Sequence, residues 1–409
     1  MGLNDLLNIN KSLEILKSRM SITRQRLEEV RMELNDAKTQ IKKQNNRISE
    51  LESIVQREFV RRDEWERKEA EVHRLANGRK VWVIKCPAPD SALKYHGGKY
   101  GDYAYCMNIK KNLEQLGYYV VLDCYEDWNC SINADVVLVI RGTHDFHPDR
   151  RDERTKFVLW MVSHPEMVTI DELNLYDLVL VDSEPYAVRL KQEANVPVEP
   201  FYVLTDTDMF YPQLDSDDVT SPTVASSTIL SNKPFDVNAH YNRVFIGNTR
   251  GILRDCIKWC NDNHIEVDVW GAEWEKFFPN SLYVHLHGQV AYEQIPEIYR
   301  HSRFVINDHY EEMLETGMLN NRFPEVLLSG IPMICDWSES FEKKYGDMVL
   351  FYRNEAEFLQ CMEEMETRYD ELKANVMQNQ ENLRATFDFQ MGIQRMVKLI
   401  EESGNSVTR

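Results

Sequence analysis

Residues 303–336, RFVINDHYEEMLETGMLNNRFPEVLLSGIPMICD, contain the succession of elements that decides the fold. The apolar, β-branched run Phe304–Asn307 predicts a buried parallel strand, and the apolar residues just before Asp336 predict a second one. Between them, Pro324 suits the first position of a helix and Gly330 suits its end. The segment is therefore predicted to form a strand, a glycine-containing loop, a helix and a second strand.

The loop from Gly317 to Arg322 is predicted to lead directly into that helix. Unpaired N–H groups and the positive end of the helix dipole favour an anion at such a position. Arg322 adds a charge that can bind phosphate through two hydrogen bonds, and Glu325 is placed to accept hydrogen bonds from ribose hydroxyls. We therefore expect an anion site here; a surface ion pair between Arg322 and Glu325 is the alternative interpretation.

The same stretch resembles the donor-sugar half of GT-B glycosyltransferases of the group 1 type, particularly bacterial CgeB-like proteins often found in surface-polysaccharide clusters. That group carries N-D-H, then D/E-M, then G-x-x-x-N-R-x-F-E/D and a helix ending in Gly. The matching residues are Asn307, Asp308, His309, Glu312, Met313, Gly317, Asn321, Arg322, Glu325 and Gly330. Two positions differ, because Pro324 replaces an aromatic and Gly317 replaces the first carboxylate of the E-x7-E pair of wider retaining families. The stereochemical outcome therefore stays open.

The composition predicts a globular protein with more than one domain. The chain has 409 residues, of which 43% are hydrophobic and 28% are charged. Its net charge of −19 argues against bulk attraction to nucleic acid or to an anionic membrane surface. Eight cysteines without C-x-x-C pairs, and an N-terminus without a basic-then-apolar leader, point to a reducing cytoplasm. No apolar run approaches the roughly 20 residues that a membrane span needs.

Residues 1–75 are predicted to form a separate helical module. Neither Gly nor Pro occurs between Ile9 and Asn77, and a 3-4 spacing of mainly apolar residues continues for six heptads from Leu13 to Val55. A repeat of this length is typical of a coiled coil, in which polar positions such as Thr23 set register or strand number. We predict homo-oligomerisation through residues 13–55, with docking onto a partner's helix as the alternative.

Residues 78–212 alternate short apolar runs with helical patterns, which predicts a doubly wound parallel sheet with its ligands at the carboxyl ends of the strands. One helix is predicted over Ala104–Leu116. The predicted strands are Lys80–Lys85, Tyr119–Asp123, Val136–Ile140, Phe157–Val162, Leu178–Val181 and Phe201–Leu204.

This half also resembles the CgeB-like group, whose first domain carries G-D loops, an R-G after a strand and an S-H-P-(E/D) segment. The matching pieces are Gly101-Asp102, Arg141-Gly142 and Ser163-His164-Pro165-Glu166. An inverting transfer needs a carboxylate or imidazole within reach of the acceptor hydroxyl, and Asp102, His164 and Glu166 are the catalytic candidates. In the alternative interpretation, Asp102 only caps a helix and His164 only orders its loop.

A linker over residues 213–240 is predicted to lead into a second sheet over residues 241–385, with a packing helix and tail over 386–409. Strand Val244–Ile246 runs into a small-residue loop that suits a pyrophosphate. Another strand, Val267–Trp270, ends in a glycine. His285 and His287 lack a suitably spaced third ligand, so no metal is expected there. The predicted donor-site residues are Gly247, Asn248, Arg250, Arg254, Gly271, His309, Gly317, Asn321, Arg322 and Glu325.

The predicted fold class is α/β: two Rossmann-like parallel-sheet domains of the GT-B type facing a cleft, preceded by a coiled coil. The resemblance implies transfer of a sugar from a nucleotide-diphosphate sugar to a glycan or other hydroxyl acceptor, without a metal or any other cofactor. Two alternatives stay open. One is a non-catalytic scaffold with a degenerate GT-B body, and the other is an enzyme of the same shape such as a nucleotide-sugar epimerase.

Overall fold

The computed structural model describes residues 66–91, 101–128, 132–148, 154–213 and 239–405, with scattered positions between 17 and 48. By its contacts the chain separates into two compact units, Met1–Glu71 and Val72–Arg409. The second unit begins before the predicted domain start at residue 78, because Val72 and Ala76 are buried in the same apolar cluster as the first sheet. Among the described residues, no helix combines the length and apolarity that a bilayer crossing requires.

Between residues 17 and 48 of the first unit, the described positions are helical and exposed. They include eight positions of the predicted heptad repeat, Met20, Leu27, Val30, Leu34, Ala37, Ile41, Gln44 and Ile48. The other positions of the repeat between Leu13 and Val55 lie outside the described residues, so the coiled coil stays a prediction.

The second unit opens with a six-stranded parallel sheet, here called the first lobe together with its helices. Its strands follow the order β2-β1-β3-β4-β5-β6. Every residue of β1, β3 and β5 is buried, as expected for a parallel sheet covered on both faces. The strands are β1 Val81–Lys85, β2 Tyr119–Asp123, β3 Val136–Arg141, β4 Lys156–Met161, β5 Leu178–Val181 and β6 Val198–Pro200.

A second six-stranded parallel sheet follows residues 214–238 and forms the second lobe. Its order is β12-β11-β10-β7-β8-β9, so the strand that opens the lobe lies in the interior of the sheet beside β10. The strands are β7 Tyr241–Ile246, β8 Val267–Trp270, β9 Val284–Gly288, β10 Ser302–Asn307, β11 Met333–Asp336 and β12 Val349–Tyr352. The predicted pair of doubly wound parallel sheets is thereby confirmed.

The helices of the second unit lie between the strands and after the last one. A further helical segment, residues 66–76, precedes β1. The α-helices are Gly101–Gln115, Ile170–Leu173, Glu184–Glu193, Asp255–Asp262, Ile295–Arg300, Glu311–Thr316, Arg322–Leu328, Glu339–Tyr345, Glu355–Gln378, Gln380–Phe387 and Phe389–Asn405. Short 3-10 helices are Tyr125–Asp127, Pro165–Met167, Trp274–Lys276 and Tyr292–Gln294.

Two predicted elements differ from the structure. Residues Phe201–Leu204 do not form the predicted strand; β6 lies at Val198–Pro200 instead. Side chains take up backbone N–H groups that a strand would use for pairing. The Val203 N–H donates to the Asp182 carboxylate, and the Leu204 N–H donates to the Tyr105 hydroxyl. The predicted loop after β10 contains the helix Glu311–Thr316, which ends at Gly317 in the left-handed conformation.

The two lobes are joined by packing as well as by the chain. Met313 and Met318, from the second lobe, are buried in the core cluster of the first. Ser183 donates a hydrogen bond from its hydroxyl to the Thr316 carbonyl at 2.6 Å. The final helix, Phe389–Asn405, returns to the first lobe and shares an apolar cluster with the helix Gly101–Gln115.

Candidate functional site

Arg322 lies where the carboxyl ends of β7 and β10 meet. Its Nη2 is 2.9 Å from the Asp308 carbonyl oxygen and 3.3 Å from Asp308 Oδ1. Its guanidinium carbon is 4.6 Å from the centre of the Phe245 ring, which holds the planar group in place. The side chain is 15% exposed, and its Nη1 has no hydrogen-bond partner among the described residues. One N–H edge of the guanidinium is therefore available to an anionic ligand.

Arg254 extends the positive charge beside Arg322. Its Nη1 is 3.4 Å from Asp308 Oδ2, so a single carboxylate lies between two guanidinium groups. Burial raises the pKa of Asp308, and the two arginines oppose that effect. The Arg254 guanidinium also stacks on Tyr310, with its central carbon 3.9 Å from the ring centre, and Arg250 lies over the same ring at 5.4 Å. Arg322 and Arg254 thus share Asp308, and Arg250 adds a third guanidinium over the Tyr310 ring, which concentrates positive charge at this point.

The loop after β7 presents Arg250 on a tight turn. The Ile252 N–H donates to the Thr249 carbonyl at 3.1 Å, and the two central residues have positive φ, 50° for Arg250 and 80° for Gly251. These are features of a type I′ turn, in which a residue other than glycine is strained at the first central position. Asn248 fixes the start of the loop, because its Oδ1 accepts from the Ala272 N–H at 2.7 Å.

Two glycines allow the ends of β7 and β8 to approach each other closely. Gly271 has a φ of 144°, and a Cβ on it would lie 2.0 Å from the Gly247 carbonyl oxygen. A Cβ on Gly247 would lie 3.0 Å from Arg322 Nη1. The absence of side chains at both positions therefore leaves bare backbone beside the available edge of Arg322.

His309 and Asp336 form a buried pair at the ends of β10 and β11. The His309 Nδ1 is 2.6 Å from Asp336 Oδ1, and the His309 backbone N–H donates to Asp336 Oδ2 at 2.6 Å. Burial by itself would raise the pKa of Asp336, but the charge and hydrogen bonds of His309 outweigh it and hold that pKa below its usual value. The other ring nitrogen, Nε2, is buried without a described partner.

Four side chains around this point each have an unsatisfied buried polar atom. They are Arg254 Nε, His309 Nε2, Tyr310 Oη and Arg322 Nη1. Buried polar groups in folded proteins almost always have a partner, and a concentration of exceptions indicates a place where a ligand or ordered water completes the bonds. His309 and Tyr310 directly follow β10, and Arg322 begins the second helix after it. Arg254 directly precedes the helix Asp255–Asp262, which follows β7.

Three other predicted donor residues lie differently from the expectation. The Gly317 N–H donates to the Leu314 carbonyl at 3.1 Å, and the glycine packs against Ser183 and Pro185 of the first lobe, so its amide does not face an anion. Asn321 is exposed ahead of the helix Arg322–Leu328 and makes no side-chain cap bond. Glu325 is 4% exposed, and the Tyr292 hydroxyl donates to it at 3.0 Å.

Asp102, His164 and Glu166 come together on the first lobe. The His164 Nδ1 is 3.1 Å from Glu166 Oε1, and Asp102 lies close enough to His164 and to Arg250 for both to influence its charge. The crowding of protein atoms around Asp102 raises the pKa of its carboxyl, although the side chain reaches solvent, while Arg250, His164 and His144 oppose that effect. The structure thus brings the three predicted catalytic residues together on the first lobe, with Asp102 near Arg250 of the second lobe.

A buried arginine holds the loop that carries His164 and Glu166. Arg141 bonds to both carboxylate oxygens of Glu172, at 2.6 and 3.1 Å, and its Nη2 donates to the Met167 carbonyl at 3.0 Å. It also donates to the Gly142 carbonyl. The R-G motif at the end of β3 therefore anchors this loop, and the bonds of Arg141 are used inside the protein. His164 itself has a left-handed backbone, with a φ of 54°.

Metal-ligating side chains lie close together in two places among the described residues. One group is His164, Glu166 and Glu312, and the other is His309, Cys335 and Asp336. In the second group, direct hydrogen bonds already join the three side chains, which fits an internal network without a metal. The first group combines residues of the two lobes.

Asp308, Tyr310 and Asp336 contribute to the site but are absent from the predicted donor residues. Asp308 and His309 follow the same predicted strand end, and Asp336 closes the neighbouring predicted strand. Because carboxyl ends of adjacent parallel strands share one edge, their proximity could have been inferred. The stacking of Tyr310 under two arginines carries no comparable sequence signal.

Comparison with known proteins places this geometry in a wider group. The family model described as Glycosyl transferase-like matches residues 250–398. No curated protein matches the chain. A sucrose-phosphate synthase from Thermosynechococcus elongatus is 10% identical, over 80% of this chain and 100% of that chain, with a TM-score of 0.56.

Two further solved structures share the fold. HepE from Anabaena in complex with UDP and glucose is 12% identical, over 79% of this chain and 99% of that chain, with a TM-score of 0.50. An alpha-glucosyltransferase in complex with UDP and a 13-mer DNA is 12% identical, over 79% and 100%, with a TM-score of 0.52. Residues 250–398 therefore carry a glycosyl transferase-like domain, and the two six-stranded parallel sheets give the chain the GT-B fold of these solved structures.

Proposed function

We propose that this enzyme transfers a sugar from a nucleotide-diphosphate sugar to a hydroxyl acceptor, with the diphosphate bound beside Arg322, Arg254 and Arg250. The supporting observation is the group of unsatisfied buried polar atoms on Arg322, Arg254, His309 and Tyr310. A diphosphate offers several acceptor oxygens with negative charge, which such donors and a net positive site would bind. The solved complexes of HepE and of the alpha-glucosyltransferase contain UDP, which supports a uridine nucleotide for this chain as well.

The arginines would also supply the catalytic stabilisation. Negative charge grows on the diphosphate as the bond to the sugar breaks, and fixed positive groups lower the energy of that state more than that of the bound substrate. Arg322 is held by Asp308 and by the Phe245 ring before any ligand binds, so little reorganisation is required. Removing one such donor typically costs about 3 kcal/mol, which is roughly a hundredfold in rate.

The acceptor would bind on the first lobe, opposite these arginines. Asp102 is the first candidate for the general base, because a raised pKa makes its carboxylate a stronger proton acceptor. His164 and Glu166 form a hydrogen-bonded pair beside it and are the other candidates. The variants Asp102→Asn, His164→Gln and Glu166→Gln test the three candidates. The base is the residue whose replacement abolishes transfer while nucleotide binding is retained.

Calorimetric titration with UDP, GDP and other nucleoside diphosphates tests the donor site. We expect one nucleotide to bind to the wild-type chain, and the affinity to fall strongly in Arg322→Ala while the circular-dichroism spectrum is unchanged. A matched control is Arg353→Ala, since Arg353 stacks on Trp337 and pairs with Glu357 at the surface. Near-normal turnover by folded Arg322→Ala protein would contradict the assignment.

A non-catalytic glycan-binding scaffold is a second candidate. It is favoured by Gly317, which stands in place of the first E-x7-E carboxylate and packs against the first lobe, and by Glu325, which is bonded to Tyr292 inside the second lobe. A scaffold would bind no nucleotide in the titration. It would also release none from a nucleotide sugar when a glycan acceptor is supplied.

We propose that the first unit joins copies of the chain. In the single chain, large apolar residues at heptad positions are exposed, among them Met20, Leu27, Leu34 and Ile41. The corresponding residues of a second copy of the chain would cover these exposed apolar side chains. Sedimentation of the full chain should give an oligomer that Leu34→Asp with Ile41→Asp dissociates, whereas Lys38→Ser, on the same helix, should leave it intact. A monomeric wild-type chain would contradict the idea.

Finer assignments rest on the sequence resemblance. We propose a CgeB-like enzyme of bacterial surface-polysaccharide or glycoconjugate synthesis that needs no metal ion. The three arginines near Asp308 supply positive charge that a divalent ion supplies in other sugar transferases. Turnover should therefore survive EDTA, and loss of activity that Mn²⁺ restores would contradict metal independence.

A further inference from the structure

Tyr125 presents an exposed aromatic ring in a fixed orientation on the first lobe. It begins the short 3-10 helix after β2 and is 41% exposed. The His144 imidazole lies parallel to the ring, with the ring centres 3.6 Å apart and the planes 17° apart. Trp128 meets Tyr125 edge-on at 5.5 Å. An aromatic side chain held on two sides in this way cannot fold away from solvent, so the rest of its surface stays open.

Beneath this stack lies a buried ion pair that the donor site does not use. Lys85 Nζ is 2.9 Å from Asp123 Oδ2 and donates to the Trp128 carbonyl at 3.0 Å. The Trp128 indole N–H is shared between the Cys86 and Asp123 carbonyls, at 3.0 and 3.2 Å. Both charged side chains are almost fully buried. A buried pair is costly to form and contributes little net stability, so its effect here is to fix the Trp128 ring that supports Tyr125.

The stacked pair lies at the carboxyl edge of the first sheet, since Tyr125 follows β2 and His144 follows β3. His144 and Asp102 are close enough to influence each other's charge. Burial, together with Arg141, lowers the pKa of His144, so its imidazole is neutral near pH 7. A neutral ring stacks on Tyr125 without introducing a charge. The arrangement is therefore an apolar ring surface with a carboxylate at its side.

We propose that Tyr125 is a binding residue for the acceptor and that it takes the pyranose ring of a saccharide. The inference rests on the proposed transfer reaction and identifies the acceptor class for it. A pyranose has one face of axial C–H bonds, which packs on an aromatic ring, and equatorial hydroxyls around its edge, which a carboxylate accepts from. With Asp102 beside the aromatic ring, a sugar stacked on Tyr125 brings a hydroxyl to the candidate base.

The chain's charge favours a saccharide over a nucleic-acid acceptor for the same ring. Bases also stack on tyrosine, but nucleic-acid sites combine such rings with arginines and lysines that contact phosphate. The charged groups that act on His144, the stacking partner of Tyr125, are the carboxylates of Asp102, Glu126 and Asp145 and the guanidinium of Arg141, which is already bound to Glu172. The chain as a whole carries a net charge of −19. A neutral polyol is not repelled by these carboxylates and can donate hydrogen bonds to them.

Saturation-transfer NMR on the full-length protein tests the proposal without requiring turnover. The probes are methyl α- and β-glycosides of glucose, galactose and N-acetylglucosamine, added with and without saturating UDP. We expect transfer to ring C–H protons of at least one glycoside with the wild type and with Tyr125→Phe, which keeps the ring. Tyr125→Ala should weaken binding about tenfold or more, as expected from the loss of an aromatic partner.

A matched control is Tyr283→Ala in the second lobe. Tyr283 also stacks on a histidine, His264, with the ring centres 4.6 Å apart, but it precedes β9 at the amino-terminal edge of its sheet. Its replacement should leave the saturation transfer unchanged. If no glycoside receives magnetisation from the wild type, or if Tyr125→Ala behaves like the wild type, the proposal is overturned.

The calorimetric titration separates this result from the proposed function. Nucleotide binding without glycoside binding would overturn the role of Tyr125 and leave the transfer reaction standing. Glycoside binding that depends on Tyr125, in a chain that binds no nucleotide, would overturn the transfer reaction and retain Tyr125 as a saccharide-binding residue.

Discussion

Gly247 and Arg322 lie so close that a methyl group on the glycine would stand 3.0 Å from Arg322 Nη1. That nitrogen is the one without a described partner, and it lies beside the bare backbone at the end of β7. Gly247 is therefore part of the candidate anion site, because only a residue without a side chain lets the Arg322 guanidinium pack against the end of β7.

Replacing Gly247 by alanine should weaken donor binding without unfolding the lobe. The added Cβ would push Arg322 by a few tenths of an ångström, and misplaced catalytic groups lose rate steeply, so we expect a fall of about tenfold in kcat/KM for the donor. The melting temperature should change little. Because the effect acts through Arg322, Gly247→Ala should add almost nothing in an Arg322→Lys background; two additive losses would contradict this explanation.

Gly317 is expected to affect stability rather than donor affinity. A Cβ there would lie 2.8 Å from Ser340 Oγ and 3.1 Å from Pro185 Cγ, and the backbone φ of 68° disfavours any other residue. We expect Gly317→Ala to destabilise the chain by about 1–3 kcal/mol in urea unfolding. Ser183→Ala, which removes the bond to Thr316 and the helix N-cap bond from the Tyr186 N–H, should act in the same direction. A large loss of nucleotide affinity at unchanged stability would restore the sequence-based interpretation of Gly317.

Glu325 predicts a pH-dependent stability difference. Burial raises the pKa of Glu325 to about 8, despite opposing effects of Tyr292 and Arg322. A carboxyl whose folded-state pKa exceeds its unfolded value of about 4.3 holds its proton longer in the folded chain, so stability is lost as pH rises from there towards 8. In Glu325→Gln the side chain does not ionise, so this pH-dependent loss of stability is removed.

Urea unfolding at pH 5, 6.5 and 8 measures that difference. Relative to the wild type, Glu325→Gln should gain on the order of 2–4 kcal/mol between pH 5 and pH 8. Glu381→Gln is a suitable control, because Glu381 is an exposed residue in the first turn of another second-lobe helix. Parallel pH profiles for the wild type and Glu325→Gln would show that Glu325 is ionised in the folded protein.

Removal of the Glu172 carboxylate from the buried ion pair with Arg141 should destabilise the protein strongly. Glu172→Ala leaves the arginine buried without its carboxylate, which typically costs about 3–5 kcal/mol. The exposed pair of Lys191 and Glu199 provides the comparison, since Glu199→Ala should cost about 1 kcal/mol or less. Thermal unfolding of the two variants checks the contrast. Equal melting temperatures would mean that Arg141 finds another partner.

The strands around the site could be predicted from local sequence. The runs Tyr119–Asp123, Leu178–Val181 and Val267–Trp270 coincide with the observed strands because apolar, β-branched stretches of that length suit a doubly covered sheet. Phe201–Leu204 has the same composition but not the same structure. Its backbone N–H groups donate hydrogen bonds to the side chains of Asp182 and Tyr105. These residues are distant in sequence, so the local hydrophobic pattern cannot predict them.

The site itself was only partly predictable. Arg322, Arg254 and His309 could be assigned because they follow strand ends or begin helices. Gly317 was misplaced because a glycine that ends a helix and one that approaches a phosphate have the same sequence signature. The deciding observation is the packing of Met313 and Met318 into the other lobe, which makes the residues before Gly317 a helix.

The return of the last helix has a consequence for how the protein is made. Phe389, Ile393, Met396 and Ile400 fill an apolar cluster with Cys106, Ile109 and Leu113, so residues near the end of the chain complete the core of the lobe that is synthesised first. While the ribosome is still translating the second lobe, the first lobe therefore has an open apolar surface, which stays uncovered until residues 389–400 have been synthesised. Early chain termination would expose that surface permanently, and such shortened chains should depend on chaperones or aggregate.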